Sequence, residues 1–373
     1  MSLEHRETRF KDLPKYKALR PDVPDWIEFK REQVTALKGV VHREENFILC
    51  KDKKPWGHDL HVTVHAPSDP EKISGIIIAF HGLGNFGQAE YYYFAPWFAK
   101  KGYIVIAPDL PYFGHNVLHR GVHGRIGKWV WQMDAMSESI KWALEWASDY
   151  SAGKYNAKSI PWSIVGISMS GLGVLYHGLF HLTGDISAEV LKNCRGITSL
   201  VPALEFLIPI SPLQKLGVYL ISAIAPNFIY TMDPVPDPDT GYTCGSHDLE
   251  SVAWCSPCIE QGKDFGLLSE HAEEKFQIDC FPSAPLSTIK KIYLAAAKAR
   301  KNASKWPNIP IFCTGSSKDD LVDPKGVKRF IDGINQSIEH QYRLYEGWYH
   351  SQLCEKDREE LFSDILKFIE KKS

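Results

Sequence analysis

Apolar and polar positions fall into a strand–helix rhythm over residues 46–201 and again from 308 onward. Gly75–Phe80 is apolar without alternation, which predicts a central parallel strand covered on both faces. Tyr103–Ala107, Trp162–Ile167, Ile197–Leu200, Ile309–Cys313 and Gln341–Tyr345 are further short strands. Leu60, Val62 and Val64 alternate with His61, Thr63 and His65, which fits an exposed antiparallel pair at a sheet edge, beside a short strand over Asn46–Cys50. A helix is expected over Tyr91–Lys101. Another, from Trp129, carries Met133, Met136, Ile140, Leu144 and Ala147 on one face. Helical spacing recurs at Leu172, Leu175, Leu179 and Leu182, then at Val327, Phe330, Ile331 and Ile334, and last at Leu361, Phe362, Ile365, Leu366 and Ile369. Such alternation predicts an α/β fold with a mostly parallel central sheet flanked by helices.

The rhythm stops between Pro202 and Pro307. A stretch of roughly a hundred residues is too long for a connection, so residues 202–307 are expected to form a helical cap over the sheet. Core parts then run over 46–201 and 308–373. Residues 1–45 are polar, punctuated by Pro14, Pro21 and Pro24, and are read as an N-terminal extension.

Composition narrows the classes. The chain has 373 residues, 44% of them hydrophobic, and a net charge of −2, so bulk electrostatics offers nothing to a nucleic acid. It has no run of about 18 apolar residues to span a bilayer. The N-terminus lacks an apolar signal core, so a cytoplasmic protein is expected, its eight cysteines reduced.

The candidate chemistry begins at Ser168. The strand ending at Ile167 turns abruptly through small residues into a helix, which pushes the hydroxyl outward and aims unpaired helix N–H groups at the same place. The motif reads Gly166-x-Ser168-x-Ser170, then Gly171, with serine where glycine is usual. If position 170 needs φ > 0, that serine costs roughly 1 kcal/mol or more. A serine nucleophile needs a base and a group to orient it. Two loops after later strands supply them: one holds Asp319, Asp320 and Asp323, the other ends Glu346-Gly-Trp-Tyr-His350. A third loop, His81-Gly-Leu-Gly84, follows the central strand. There the Leu83 N–H, together with that of Met169, is placed to hold an oxyanion.

His81 to Gly84, Gly114-His115, Gly166 to Gly171, Gly315 to Asp323 and Tyr345 to His350 together resemble the monoacylglycerol lipase and lysophospholipase branch of the α/β-hydrolases, over roughly residues 45–370. The resemblance implies Ser168 as nucleophile, Asp319 as orienting acid and His350 as base. It implies a small acyl ester of lipid type as substrate and no cofactor. Asp323, before Pro324, reads as a helix N-cap. The sequence departs from the family at Ser170 and at Gly114-His115-Asn116-Val117-Leu118.

Other groupings are weaker. His115, His119 and His123 stand four apart, but the glycines among them oppose a helix. Cys244, Cys255, Cys258 and Cys280 with His247 contain only one C-x2-C pair. No metal is expected at either. The apolar stretch Phe206–Phe228 would line an acyl channel or touch a membrane or micelle. Two other readings are a proline-iminopeptidase-like amidase using Glu270, Glu273 or Glu274, and a binding protein that kept the fold without its chemistry. Oligomeric state is not legible.

Overall fold

The computed structural model describes residues 41–48, 56, 59–91, 93–114, 116, 124–151, 153–207, 212–226, 228–230, 284–319, 321–355 and 357–371. Among them, eight strands form one sheet in the order β1 (Val41–Ile48), β2 (Leu60–Pro67), β4 (Tyr103–Pro108), β3 (Gly75–Phe80), β5 (Trp162–Ile167), β6 (Cys194–Leu200), β9 (Ile311–Ser316) and β10 (His340–Tyr345). β2 runs antiparallel to both its neighbours. Every pairing from β4 through β10 is parallel.

Helices cover both faces. They are α1 (Gly87–Glu90), α2 (Phe94–Lys100), α3 (Trp129–Tyr150), α4 (Ser168–Phe180), α5 (Leu182–Asp185), α6 (Ala188–Leu191), α7 (Pro212–Ile224), α8 (Leu286–Lys301), α9 (Pro324–Asp332) and α10 (Arg358–Glu370). One core joins Ile76, Ile78 and Phe80 to Met133, Met136 and Ile140 of α3 and Leu172 and Leu175 of α4. The other joins Ile77 and Ala79 to Phe94 and Phe98 of α2 and Leu361, Phe362 and Ile365 of α10. β3 therefore faces apolar side chains on both sides, which is why it shows no alternation. Burying each such isoleucine stabilises the fold by about 1.5–3 kcal/mol.

The edge differs from expectation. β1 and β2 do pair antiparallel, but β1 begins at Val41, ahead of Asn46. The polar face of β2 is not exposed: His61, Thr63 and His65 are as buried as Leu60 and Val62. α2 packs against β2, and His61 is turned inward, its Nδ1 3.2 Å from the fully buried Asp109 Oδ2. Alternation here marks two buried faces of different polarity.

Between β6 and β9 the described elements include α7, α8 and a two-residue antiparallel pair, β7 (Ile229–Tyr230) with β8 (Ala284–Pro285). α8 is fastened to the core. Lys298 Nζ donates to the Tyr176 hydroxyl of α4 at 2.9 Å, and Thr288 Oγ1 donates to the Gly124 carbonyl at 2.7 Å. Residues 1–40, the cysteines at 244, 255, 258 and 280, His247, His115, His119, His123, Glu270, Glu273 and Glu274 lie outside the described residues. Among those described, no cluster of three or more His, Cys, Asp or Glu could hold a metal. No described helix is long and apolar enough to cross a membrane.

Candidate active site

β5 ends at Ile167 and α4 starts on the next residue, so Ser168 takes the whole turn. Its φ is +54°, the left-handed region that costs a non-glycine residue about 1–2 kcal/mol. The strained residue is Ser168 itself. Ser170, for which positive φ was the concern, is an ordinary buried helical residue. Its neighbours carry the close packing. A Cβ on Gly166 would meet the Ser170 carbonyl oxygen at 2.3 Å, and one on Gly171 would meet the Leu200 carbonyl oxygen at 2.8 Å. The Ser168 carbonyl is held by the Ala203 N–H at 3.0 Å.

The loops after β9 and β10 deliver the other two side chains to the same sheet edge. The Ser168 hydroxyl lies 2.8 Å from His350 Nε2, and His350 Nδ1 lies 2.8 Å from Asp319 Oδ2. A carboxylate can only accept, so His350 Nδ1–H donates to it, leaving the Nε2 lone pair to accept the serine proton. Asp319 is itself fixed: its Oδ1 accepts the N–H groups of Leu321 at 2.9 Å and Val322 at 2.8 Å. The Asp319 side chain is 1% exposed and that of His350 is 15% exposed, so the imidazole is reachable from outside while its partner stays dry. Asp323 caps α9 through the Lys325 N–H at 2.9 Å. Asp320 lies outside the described residues.

The loop at His81–Gly84 abuts this pair. A Cβ on Gly82 would touch the Ser168 Cβ at 3.5 Å, so the chain next to Leu83 passes beside this serine. Met169 is the second residue of α4, among the first four whose N–H groups have no partner within the helix. Both candidate oxyanion donors thus belong to backbone that borders the serine.

Several supporting residues were not foreseen. His81 is fully buried: its Nδ1–H donates to the Gly82 carbonyl at 2.8 Å and its Nε2 accepts the Leu110 N–H at 2.9 Å. Burial pushes its pKa down, against the pull of Asp109. Asp109 Oδ1 accepts the Gly87 N–H at 2.8 Å. Asn116, where the loop departs from the family pattern, donates to the Asp109 carbonyl at 2.6 Å and accepts the His61 N–H at 3.2 Å. Asn116 thus bridges β2 and the residue that follows β4. Buried Gln352 locks the segment after His350 to the end of β9: it accepts from Thr314 at 2.6 Å and donates to Ser316 Oγ at 2.8 Å and the Gly315 carbonyl at 3.2 Å. All of these work through contacts remote in sequence, and periodicity carries no trace of such contacts.

A family model described as serine aminopeptidase, S33, matches residues 71–357. Solved structures share the fold. A soluble variant of the monoglyceride lipase of Saccharomyces cerevisiae, in complex with a substrate analog, is 15% identical with a TM-score of 0.64, over 83% of this chain and 92% of its own. The monoacylglycerol lipase of Paleococcus ferrophilus is 16% identical with a TM-score of 0.58, over 84% and 98%. A thioesterase domain from the curacin biosynthetic pathway is 15% identical with a TM-score of 0.52, over 87% and 99%. A search of curated proteins finds no match.

Proposed function

The chain belongs to the serine aminopeptidase S33 family of α/β-hydrolases, and from that premise we propose that it hydrolyses carboxylic esters of lipid-like substrates through an acyl-enzyme on Ser168. The observation that carries this reading is the unbroken run of 2.8 Å contacts from Ser168 through His350 to Asp319. His350 takes the hydroxyl proton as Ser168 attacks the ester carbonyl. It then returns that proton to the departing alcohol. In the second half it draws a proton from water, which attacks the acyl-serine and frees the acid. Asp319 holds the ring in the tautomer that can do this and stabilises the imidazolium. The N–H groups of Leu83 and Met169 receive the oxyanion, each contributing roughly 3–4 kcal/mol at the transition state.

Lipid character is supported by the apolar side chains around the end of α7. Leu220 is 55% exposed, Ile224 85% and Phe228 52%, a surface suited to acyl chains or to a membrane or micelle carrying the substrate. The substrate classes on this reading are monoacylglycerols and lysophospholipids. The aminopeptidase character of the family favours a second reading, cleavage of an aminoacyl amide.

Fluorophosphonate labelling tests the nucleophile. It should mark the wild-type chain and vanish in Ser168→Ala, with hydrolysis falling by about 10⁴-fold or more; a label that persists on another serine would sink the assignment. Monoacylglycerols of several chain lengths, lysophospholipids and aminoacyl anilides, assayed side by side, separate the two readings. Anilides cleaved faster than every ester would overturn the lipid one.

A further inference from the structure

One carboxylate beside the serine has no part in the chemistry above. Glu90, the last residue of α1, reaches back to the loop before it, and its Oε2 accepts the Gly82 N–H at 3.0 Å. A Cβ added to Gly82 would lie 3.3 Å from that same Oε2 and 3.5 Å from the Ser168 Cβ. The Glu90 carboxylate and the Ser168 Cβ therefore flank the same point beside Gly82, at 3.3 and 3.5 Å from it. Glu90 is only half-buried.

A negative charge in that place opposes the build-up of an oxyanion nearby, and more strongly in a cleft than in water. The opposition is offset when the substrate brings polarised hydrogens to the same spot. Carboxylates form charge-assisted bonds to hydroxyl and ammonium donors that are about twice as strong as neutral ones. We propose that Glu90 is a specificity-determining residue. It binds hydroxyl or ammonium donors on the group next to the scissile bond, and so selects esters of polyols or amino alcohols over esters of simple alcohols. The proposal rests on the reading of Ser168 as nucleophile. It differs from a purely structural role, in which Glu90 fixes the Gly82 loop and affects every substrate alike.

Three esters of one acyl chain test it: the methyl ester, the glycerol monoester and the ester of 2-aminoethanol. In Glu90→Gln the amide oxygen can still accept the Gly82 N–H, but the charge is gone. In Glu90→Ala both are lost. The expected result in both variants is a fall of at least roughly tenfold in kcat/KM for a donor-bearing ester relative to the methyl ester. A larger fall for the aminoethanol ester identifies ammonium as the preferred donor, and a larger fall for the glycerol ester identifies hydroxyl. Ratios within about twofold of wild type for both esters, in both variants, overturn the proposal and leave Glu90 as a loop acceptor. Labelling tells the two failures apart: a label that survives Ser168→Ala condemns the serine assignment, whereas unchanged ratios with the label lost in Ser168→Ala condemn the role of Glu90.

Discussion

Asp319 and Asp323 stand four residues apart and serve different partners. Asp319 faces the imidazole and is braced by two backbone donors; Asp323 caps a helix. Under the proposed roles, Asp319→Asn should cut turnover by about 10⁴-fold with little change in unfolding midpoint, because the ring would settle in the wrong tautomer. Asp323→Ala should cost about 1 kcal/mol of stability and leave turnover nearly intact. Ester hydrolysis and urea unfolding of the two variants check both halves, and a dead Asp323→Ala would refute the division. At this scale the meeting of Ser168, Asp319 and His350 was legible because each follows an apolar strand at a recognisable spacing. Gln352, Asp109 and Glu90 were not. Each acts through partners fixed by folding, and nothing in the adjoining sequence distinguishes a buried glutamine from an exposed one.

Between β5 and α4 the chain turns with no spare room. The Gly166 and Gly171 positions press against carbonyl oxygens of Ser170 and Leu200, so strand, helix and the end of β6 lock together behind the hydroxyl. Gly166→Ala is expected to destabilise the fold by about 1–3 kcal/mol and to lower fluorophosphonate labelling by displacing Ser168. Thermal unfolding and labelling rate report the two effects. Retention of both would show that the turn can yield. The elements themselves were largely readable: β3, β5, α3 and α10 lie close to where apolar spacing predicts them. β2 misled because alternation reports only that two faces differ. It does not say that the polar face is wet, and here His61, Thr63 and His65 are all buried, with His61 beside Asp109. The helix expected over Tyr91–Lys101 is α2, Phe94–Lys100, and the one-turn α1 ahead of it, Gly87–Glu90, is an addition.

Across the whole molecule, buried histidines make stability depend on pH. His177 on α4 is fully buried, its Nε2 2.8 Å from Ser137 Oγ on α3. That hydroxyl gives its proton to Asp185 at 2.6 Å. Burial, reinforced by His181, pushes the His177 pKa down to about 3. A group depressed in the folded state favours unfolding once the unfolded chain takes up its proton. Stability is therefore intact above about pH 6.5 and declines from there toward pH 3, by up to ~1.4 kcal/mol per pH unit. His81 titrates in the same direction. Urea midpoints at pH 7 and pH 5 should diverge less in His177→Gln than in the wild type; an equal divergence would remove His177 from the account.

The order of the sheet sets a schedule for assembly. β6 and β9 lie side by side, as Ile197 does beside Ile311, although the whole insertion is threaded between them. The serine and its imidazole stand 182 positions apart. While the chain is being made, the sharp turn at the end of β5 can form long before His350 exists. Until β9 has joined β6 and β10 has been laid against β9, the hydroxyl has no imidazole beside it. Under the proposed roles, a chain interrupted anywhere in the insertion is silent, and hydrolytic power arrives in one step at the close of synthesis.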